Sequence, residues 1–343
     1  MCILGFSVFV TGAFQYYFPI TCVVIFITII LLLFRDPFAP ADSVNYIWMY
    51  EEQKSLSNIV NVYHGDYFFS FTQYIGNLFK IPVHDFLILH SIMFYLITVL
   101  GLRLISKDKR TFIVCLVLFS LTSTFILLYT NVMRQGLALS LMVLSIGLLC
   151  RNKILLSIVI SLLAIYSHMS SLLIFASLFF LRMIRLSSRH YLFLVISLPL
   201  LPLVSYLFLP YLNSMTTRME SLTSQGYNNS LVYIKLCVLY FSLVLFYWFS
   251  LKNELLNDER TALILKVYIC AVGLSFIFIP ALLISSRYIY YAGGVLPVLY
   301  SIVLCNRPNN INVYVRFLTG FILAIIFGLF VYSFDSTRAQ LGI

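Results

Sequence analysis

Acidic residues are scarce in this chain: 12 Asp and Glu stand among 343 positions, against 22 Lys and Arg. Charged residues of both signs make up 10% of it, where a soluble domain carries about a quarter. So thin a polar coat excludes a water-soluble globular enzyme. The basic excess, +10 in formal charge, is scattered over short stretches. That pattern excludes a nucleic-acid partner and leaves membrane orientation as the task of the basic residues. Cysteine is limited to Cys2, Cys22, Cys115, Cys150, Cys237, Cys270 and Cys305, all in or beside apolar runs. With no CxxC and no clustered histidine, neither a metal site nor a disulfide framework is expected, and no cofactor is indicated. Asp-x-Asp is missing throughout, which argues against a metal-bound nucleotide sugar as substrate. Internal repeats and low-complexity linkers are also missing. Residues 1–18 have no basic n-region and read as a first span rather than a removed leader.

What remains is apolar: 62% of the chain is hydrophobic and 17% aromatic. Apolar runs long enough to cross a hydrocarbon core about 30 Å thick recur from end to end. Backbone facing lipid must be hydrogen-bonded within its own segment, and β-barrel alternation is absent. The expected fold is therefore an all-α polytopic integral membrane protein, one transmembrane domain over 1–343. About twelve transmembrane helices are expected, near 2–16, 19–34, 84–105, 111–129, 133–150, 154–167, 170–184, 191–209, 231–251, 262–284, 289–305 and 313–332.

Alternate loops then separate by charge. Lys107, Lys109 and Arg110 share one side with Arg151 and Lys153, and the loops of Arg182–Arg189, Lys252–Arg260 and Arg307–Arg316 join them. Short basic loops are cytoplasmic. The opposite, external side takes 35–82, 210–230, Ser285–Arg287, both termini, and the surroundings of Arg134 and His168. Within the long loop after the second span, 66–81 (DYFFSFTQYIGNLFKI) is aromatic and half polar. It is too short to span and suits an interfacial or re-entrant helix.

The stretch from Thr130 to Phe175 organises the rest. Two apolar runs flank the turn Arg151-Asn152-Lys153, and each ends far from it in a polar residue, Arg134 or His168. At about 1.5 Å of rise per residue those two lie roughly 25 and 22 Å from the turn. They therefore emerge together at the external face. A lone cation at that depth is expensive and reads as functional. The plain readings are a snorkelling Arg134, a His168 that only closes a helix end, and an Asp42 that only caps one. Convergence of these groups on one face favours a site. Gly136-x-x-x-Ser140 and Ser157-x-x-x-Ser161 read as helix-packing surfaces.

These features resemble the EpsG/Wzy-type family of bacterial polysaccharide polymerases. The resemblance rests on Arg35, Asp42 and Tyr46 after the second span, the aromatic segment, NVMRQGLALS, SHMSS, and Arg287-Tyr288 near the end. The chain departs from the family in having Gly65-Asp66 where a Glu-Pro-like pair is usual, so the resemblance assigns Asp66 no role, and His64-x-Asp66 stands as a minor second acid/base pair. The resemblance implies a metal-independent glycosyltransferase. It would join undecaprenyl-pyrophosphate-linked oligosaccharide units at the periplasmic or external face of the bacterial cytoplasmic membrane. Its partners would be those lipid-linked glycans and the surrounding lipids, with a chain-length regulator and a flippase as neighbours. Asp42 and His168 are then the catalytic candidates, since one must deprotonate an acceptor hydroxyl. Arg35, Arg134, Gln135, Arg218, Arg287 and Tyr288 are the pyrophosphate-binding candidates, guanidinium being suited to bidentate phosphate recognition. Two alternatives stand beside this reading: a flippase or transporter of lipid-linked oligosaccharide, and a membrane O-acyltransferase acting on surface glycans. Ion-coupled transport would favour carboxylates at mid-span, and none occurs there. Lys235 and Lys266 fall about a turn from span ends.

Overall fold

The computed structural model describes residues 17–40, 42–62, 66–184, 186–203, 205–207, 229–252 and 255–305. Among them the secondary structure is helical, without strands, as a lipid-embedded chain requires. Six helices are long and apolar enough to cross a membrane, and three shorter apolar helices accompany them. The spans expected at 2–16 and 313–332, and the loop 210–230, lie outside the described residues.

The chain forms two compact units, residues 1–171 with 304–343, and residues 172–303. In the first unit α1 (Tyr17–Leu33) ends at the border residues Phe34 and Arg35. Three short helices follow in the 35–82 loop: α2 (Ser43–Glu52), α3 (Leu56–Val62) and α4 (Tyr67–Leu78). The last falls within the stretch 66–81, which the sequence marks as too short to span. It closes with Lys80 at φ 54°, whose neighbour Ile81 N–H reaches back to the Gly76 carbonyl at 3.0 Å. A left-handed residue after a helix is ordinarily glycine, so lysine carries strain here.

α5 (Val83–Ile105) and α8 (Met133–Cys150) pack most closely. Gly101 and Gly147 make this possible: a Cβ on Gly101 would lie 2.7 Å from the Leu144 nitrogen, and one on Gly147 would lie 2.8 Å from the Gly101 oxygen. Between them run α6 (Lys109–Ser120) and α7 (Ser123–Thr130), where one span over 111–129 was expected. The break falls at Leu121-Thr122. The Thr122 hydroxyl donates to the Phe119 carbonyl at 2.8 Å and accepts from the Phe125 N–H at 3.1 Å. In this Ser/Thr-rich stretch, hydroxyls compete with the backbone and cap a new helix.

α9 (Ile154–Ser167) returns antiparallel to α8. Their turn is a Schellman motif: Asn152 sits at φ 58°, the Lys153 N–H bonds the Leu148 carbonyl, and that of Asn152 bonds the Leu149 carbonyl. The expected seryl surface is real. Ser145 Oγ lies 2.7 Å from Ser157 Oγ and 2.8 Å from Ser161 Oγ, holding the hairpin together through hydroxyls.

The second unit comprises α10 (Ser171–Met183), α11 (Ser188–Ser197), α12 (Asn229–Lys252), α13 (Glu259–Ile277) and most of α14 (Leu282–Cys305). Tyrosine hydroxyls tie it: Tyr247 donates to the Ser188 carbonyl at 2.8 Å, Tyr268 to the Leu239 carbonyl at 2.9 Å, and Tyr300 to Ser242 Oγ at 2.7 Å. Two expectations change here. The loop expected at Ser285–Arg287 sits instead at Phe278–Ala281, because Pro280 rather than the serines ends the helix pair. Ser285 and Ser286 are absorbed by α14, their hydroxyls donating to the Ser275 and Leu283 carbonyls. Lys235 and Lys266 lie about two turns inside α12 and α13 rather than one. Lys266 Nζ donates to the Leu181 and Ile184 carbonyls, closing the end of α10.

Candidate functional site

Three polar side chains meet in the first unit. Arg134 sits in the first turn of α8, His168 follows the last residue of α9, and Asp66 precedes α4. The α8–α9 hairpin thus brings its two open ends together, far from the Asn152 turn, as the spacing required. The carboxylate between them is Asp66, which the sequence offered only in the minor His64-x-Asp66 pair. One Asp66 oxygen accepts from the Arg134 guanidinium at 2.5 Å, and the other lies 3.6 Å from His168 Nδ1. Asp66 and His168 each keep 9% of their side-chain surface exposed, and Arg134 keeps 27%. The carboxylate is therefore interior, with the guanidinium forming the solvent side of the cluster.

Electrostatics follow from this placement. Burial alone drives the Asp66 carboxyl upward, but hydrogen bonding and charge from His168 and Arg134 outweigh it, and the net shift is downward. Asp66 is thus an anion that binds two cationic or cationisable groups. Tyr46, buried on α2, also hydrogen-bonds to Arg134, and burial pushes its hydroxyl up to about 12. Its ring lies 5.6 Å from that of Phe69 on α4. Gln135 follows Arg134 and is wholly buried.

Asp42 stands at the first position before α2, yet its side chain makes no cap hydrogen bond. Its backbone N–H donates instead to Asn131 Oδ1 at 3.0 Å, fastening the loop to the α7–α8 junction. Partial burial raises the Asp42 carboxyl and the charge of Arg134 opposes the rise. The carboxylate is therefore uncommitted to the helix and within the field of Arg134.

Arg35 occupies a different place. It is 4% exposed, and its guanidinium donates to the Thr130 carbonyl at 3.1 Å, the Leu87 carbonyl at 3.2 Å and Ser91 Oγ at 2.7 Å. Burial pushes its pKa down to about 10, still far above neutrality. Arg35 is spent on the scaffold, where it satisfies carbonyls at the end of α7 just before Arg134. Gly136, beside Arg134, serves helix packing as expected. A Cβ there would lie 2.2 Å from the Leu128 oxygen, so this glycine allows α7 and α8 to touch.

Arg287 and Tyr288 belong to the second unit, in the first two turns of α14. Tyr288 is buried and stacks on Phe278 at 5.4 Å. Arg218 lies outside the described residues. Of the residues singled out beforehand, the structure brings Asp42, Tyr46, Arg134 and His168 into one neighbourhood. Asp66 ranks low in the sequence because its context departs from the family pattern; His64, its partner in the minor pair, lies outside the described residues. A further signal for Asp66 is its position directly before an amphipathic segment on the same expected side as Arg134.

A family model described as the EpsG family matches residues 20–341, nearly the whole chain. No curated protein and no solved structure matches.

Proposed function

The chain belongs to the EpsG family, and from this membership in a group of polysaccharide-biosynthesis membrane proteins we propose that it is a glycan polymerase. In this reading it transfers a growing chain from undecaprenyl pyrophosphate onto the next lipid-linked repeat unit, at the external face of the cytoplasmic membrane. The observation that carries it is the Asp66 carboxylate bridging Arg134 and His168.

The chemistry divides among these groups. An acceptor hydroxyl oxygen forms a bond to the anomeric carbon of the donor glycan. The bond from that carbon to the lipid pyrophosphate breaks, and the pyrophosphate leaves with the electron pair. The hydroxyl proton passes to the His168 imidazole, whose cationic form the neighbouring Asp66 carboxylate stabilises. Arg134 neutralises charge on the departing pyrophosphate, where fixed cations contribute most. Arg287, in the second unit, remains a pyrophosphate candidate on the sequence alone. Asp42 is the second base candidate, favoured by its uncommitted carboxylate. Arg35 acts by holding the α7–α8 junction in place.

Arg134→Lys separates a pyrophosphate clamp from a membrane anchor. Lysine keeps the charge but loses the planar fork, and a lost charge-assisted contact is worth about 1.5–3 kcal/mol. The expected outcome is normally folded protein with polymer formation down roughly tenfold to a hundredfold or more. The assay supplies defined lipid-linked repeat units and scores polymer length. Wild-type polymer from Arg134→Lys removes the clamp. A wild-type protein that makes no polymer but moves the lipid-linked unit across a bilayer overturns the polymerase reading in favour of a flippase.

A further inference from the structure

The inward face of α4 carries polar groups that neither the helix nor its neighbours use. Asp66, Ser70 and Gln73 follow one another at helical spacing on that face. Ser70 and Gln73 are 0% exposed. The Ser70 hydroxyl and both polar atoms of the Gln73 amide have no hydrogen-bond partner among the described residues. Each such group costs about 1–3 kcal/mol when left unsatisfied in an interior. Alanine and leucine at the same positions would pack against the same neighbours at no such cost. A hydroxyl and an amide together offer donors and acceptors, the complement of a polyhydroxylated ligand. Phe69, beside them and 5.6 Å from the Tyr46 ring, adds an aromatic wall.

The two ends of α4 are held differently. At its C-terminal end the contacts are steric and neutral. A Cβ on Gly76 would lie 2.5 Å from the Phe86 ring, Asn77 Nδ2 donates to the Tyr50 carbonyl at 2.5 Å, and the Tyr50 hydroxyl donates to the Ile81 carbonyl at 2.6 Å. At its N-terminal end ring contacts hold it as well, Tyr67 with Tyr166 at 6.1 Å and Phe69 with His90 at 5.5 Å, and Asp66, which gives no side-chain cap to α4, reaches across to Arg134 and His168. The ionic part distinguishes this end: an anion arriving at Arg134 competes with the Arg134 half of the Asp66 contact and leaves the His168 half.

We infer that the inner face of α4, through Ser70 and Gln73, is a binding subsite for sugar hydroxyls, uncovered when a pyrophosphate takes Arg134 from Asp66. The inference rests on the proposed use of Arg134 and adds to it the saccharide half of the substrate. Anion site and subsite are coupled by geometry: the carboxylate that pairs with Arg134 also fastens the N-terminal end of α4 over the sugar site. Sugar is thereby admitted only with its pyrophosphate in place, which suits a reaction that must avoid transfer to water.

The test uses the full-length protein in detergent, with native cysteines replaced and Ser70→Cys introduced as a reporter. Thiol labelling at position 70 should be slow without ligand, and about ten- to hundredfold faster with farnesyl pyrophosphate, which carries no sugar. Asp66→Asn should give the fast rate with no ligand at all. Lipid-linked repeat units extracted from cells lacking this protein should slow labelling again by covering the site, and Gln73→Met should abolish that protection. Phe71→Cys, on the exposed face of α4, should label equally in every state. A labelling rate unchanged by Asp66→Asn overturns the coupling. Fast labelling that the sugar-bearing lipid fails to slow, or protection that survives Gln73→Met, overturns the subsite. The polymerase reading is decided separately, by polymer formation: protection without polymer retains the subsite and sinks the polymerase.

Discussion

Asp66→Asn removes one charge at the centre of the cluster while keeping shape nearly constant. In the folded protein Arg134 loses its anionic partner at 2.5 Å and His168 loses the carboxylate at 3.6 Å. A buried pair broken from one side costs about 3–5 kcal/mol. Arg134 retains 27% of its side-chain surface, so water compensates part of that loss. The asparagine oxygen also still accepts a hydrogen bond. The expected cost is therefore nearer to that of one charge-assisted hydrogen bond, about 1.5–3 kcal/mol. Arg134→Met should cost a similar amount, because it strands Asp66 at 9% exposure. The double variant should cost clearly less than the sum, with a coupling of about 1–2 kcal/mol, as contacting charges in a double-mutant cycle show. Reversible denaturant unfolding in a fixed detergent, followed by tryptophan fluorescence, supplies the four free energies. Additive costs, with coupling near zero, would refute the pairing on which the site is built.

Three further outcomes follow from local geometry. Lys80→Gly should stabilise the fold by about 1 kcal/mol, since it relieves a left-handed lysine at the end of α4, and a higher unfolding midpoint at unchanged m-value is the check. Gly136→Ala should destabilise by about 1–3 kcal/mol or fail to fold, because the added carbon meets the Leu128 oxygen at 2.2 Å, and size-exclusion yield with thermal midpoint measures it. For acid stability the sign follows from the depressed Asp66 carboxyl. Its contribution is complete above the ordinary value of 3.8 and is lost as pH falls through the lower folded value, so wild type should lose its advantage over Asp66→Asn in acid, as parallel unfolding curves would record.

Much of the first unit was legible from spacing. The positions of Arg134 and His168 relative to the Asn152 turn fix where two antiparallel helices end, since helical rise is constant. The amphipathic character of 66–81 likewise determines a helix too short to span. Asp66 was hidden because its partners lie 68 and 102 residues away, as the numbering shows. Nothing local distinguishes a carboxylate bound for a distant arginine from one that merely precedes a helix. Arg35 misled for the converse reason, since a border arginine beside a phosphate and one buried against carbonyls have the same neighbours in sequence. The break at Thr122 and the turn at Pro280 were decided by competition among adjacent Ser, Thr and Pro residues. Hydropathy averages over those differences.

The anchoring of Arg35 bears on how the chain is made. Its first two acceptors, Leu87 and Ser91, lie 52 and 56 residues downstream, and the third, Thr130, lies 95 downstream. At ribosomal rates of about 5–20 residues per second, the last of these is synthesised roughly 5–20 s after the arginine. Until Leu87 and Ser91 have been made the guanidinium has water or lipid headgroups for company, and it cannot shed its charge. The set of acceptors is complete only once the end of α7 has arrived with the Thr130 carbonyl. The loop that carries Asp42 and Asp66 can therefore be tied through all three Arg35 bonds only after α7 has been made, its last acceptor lying just ahead of Arg134 in the chain.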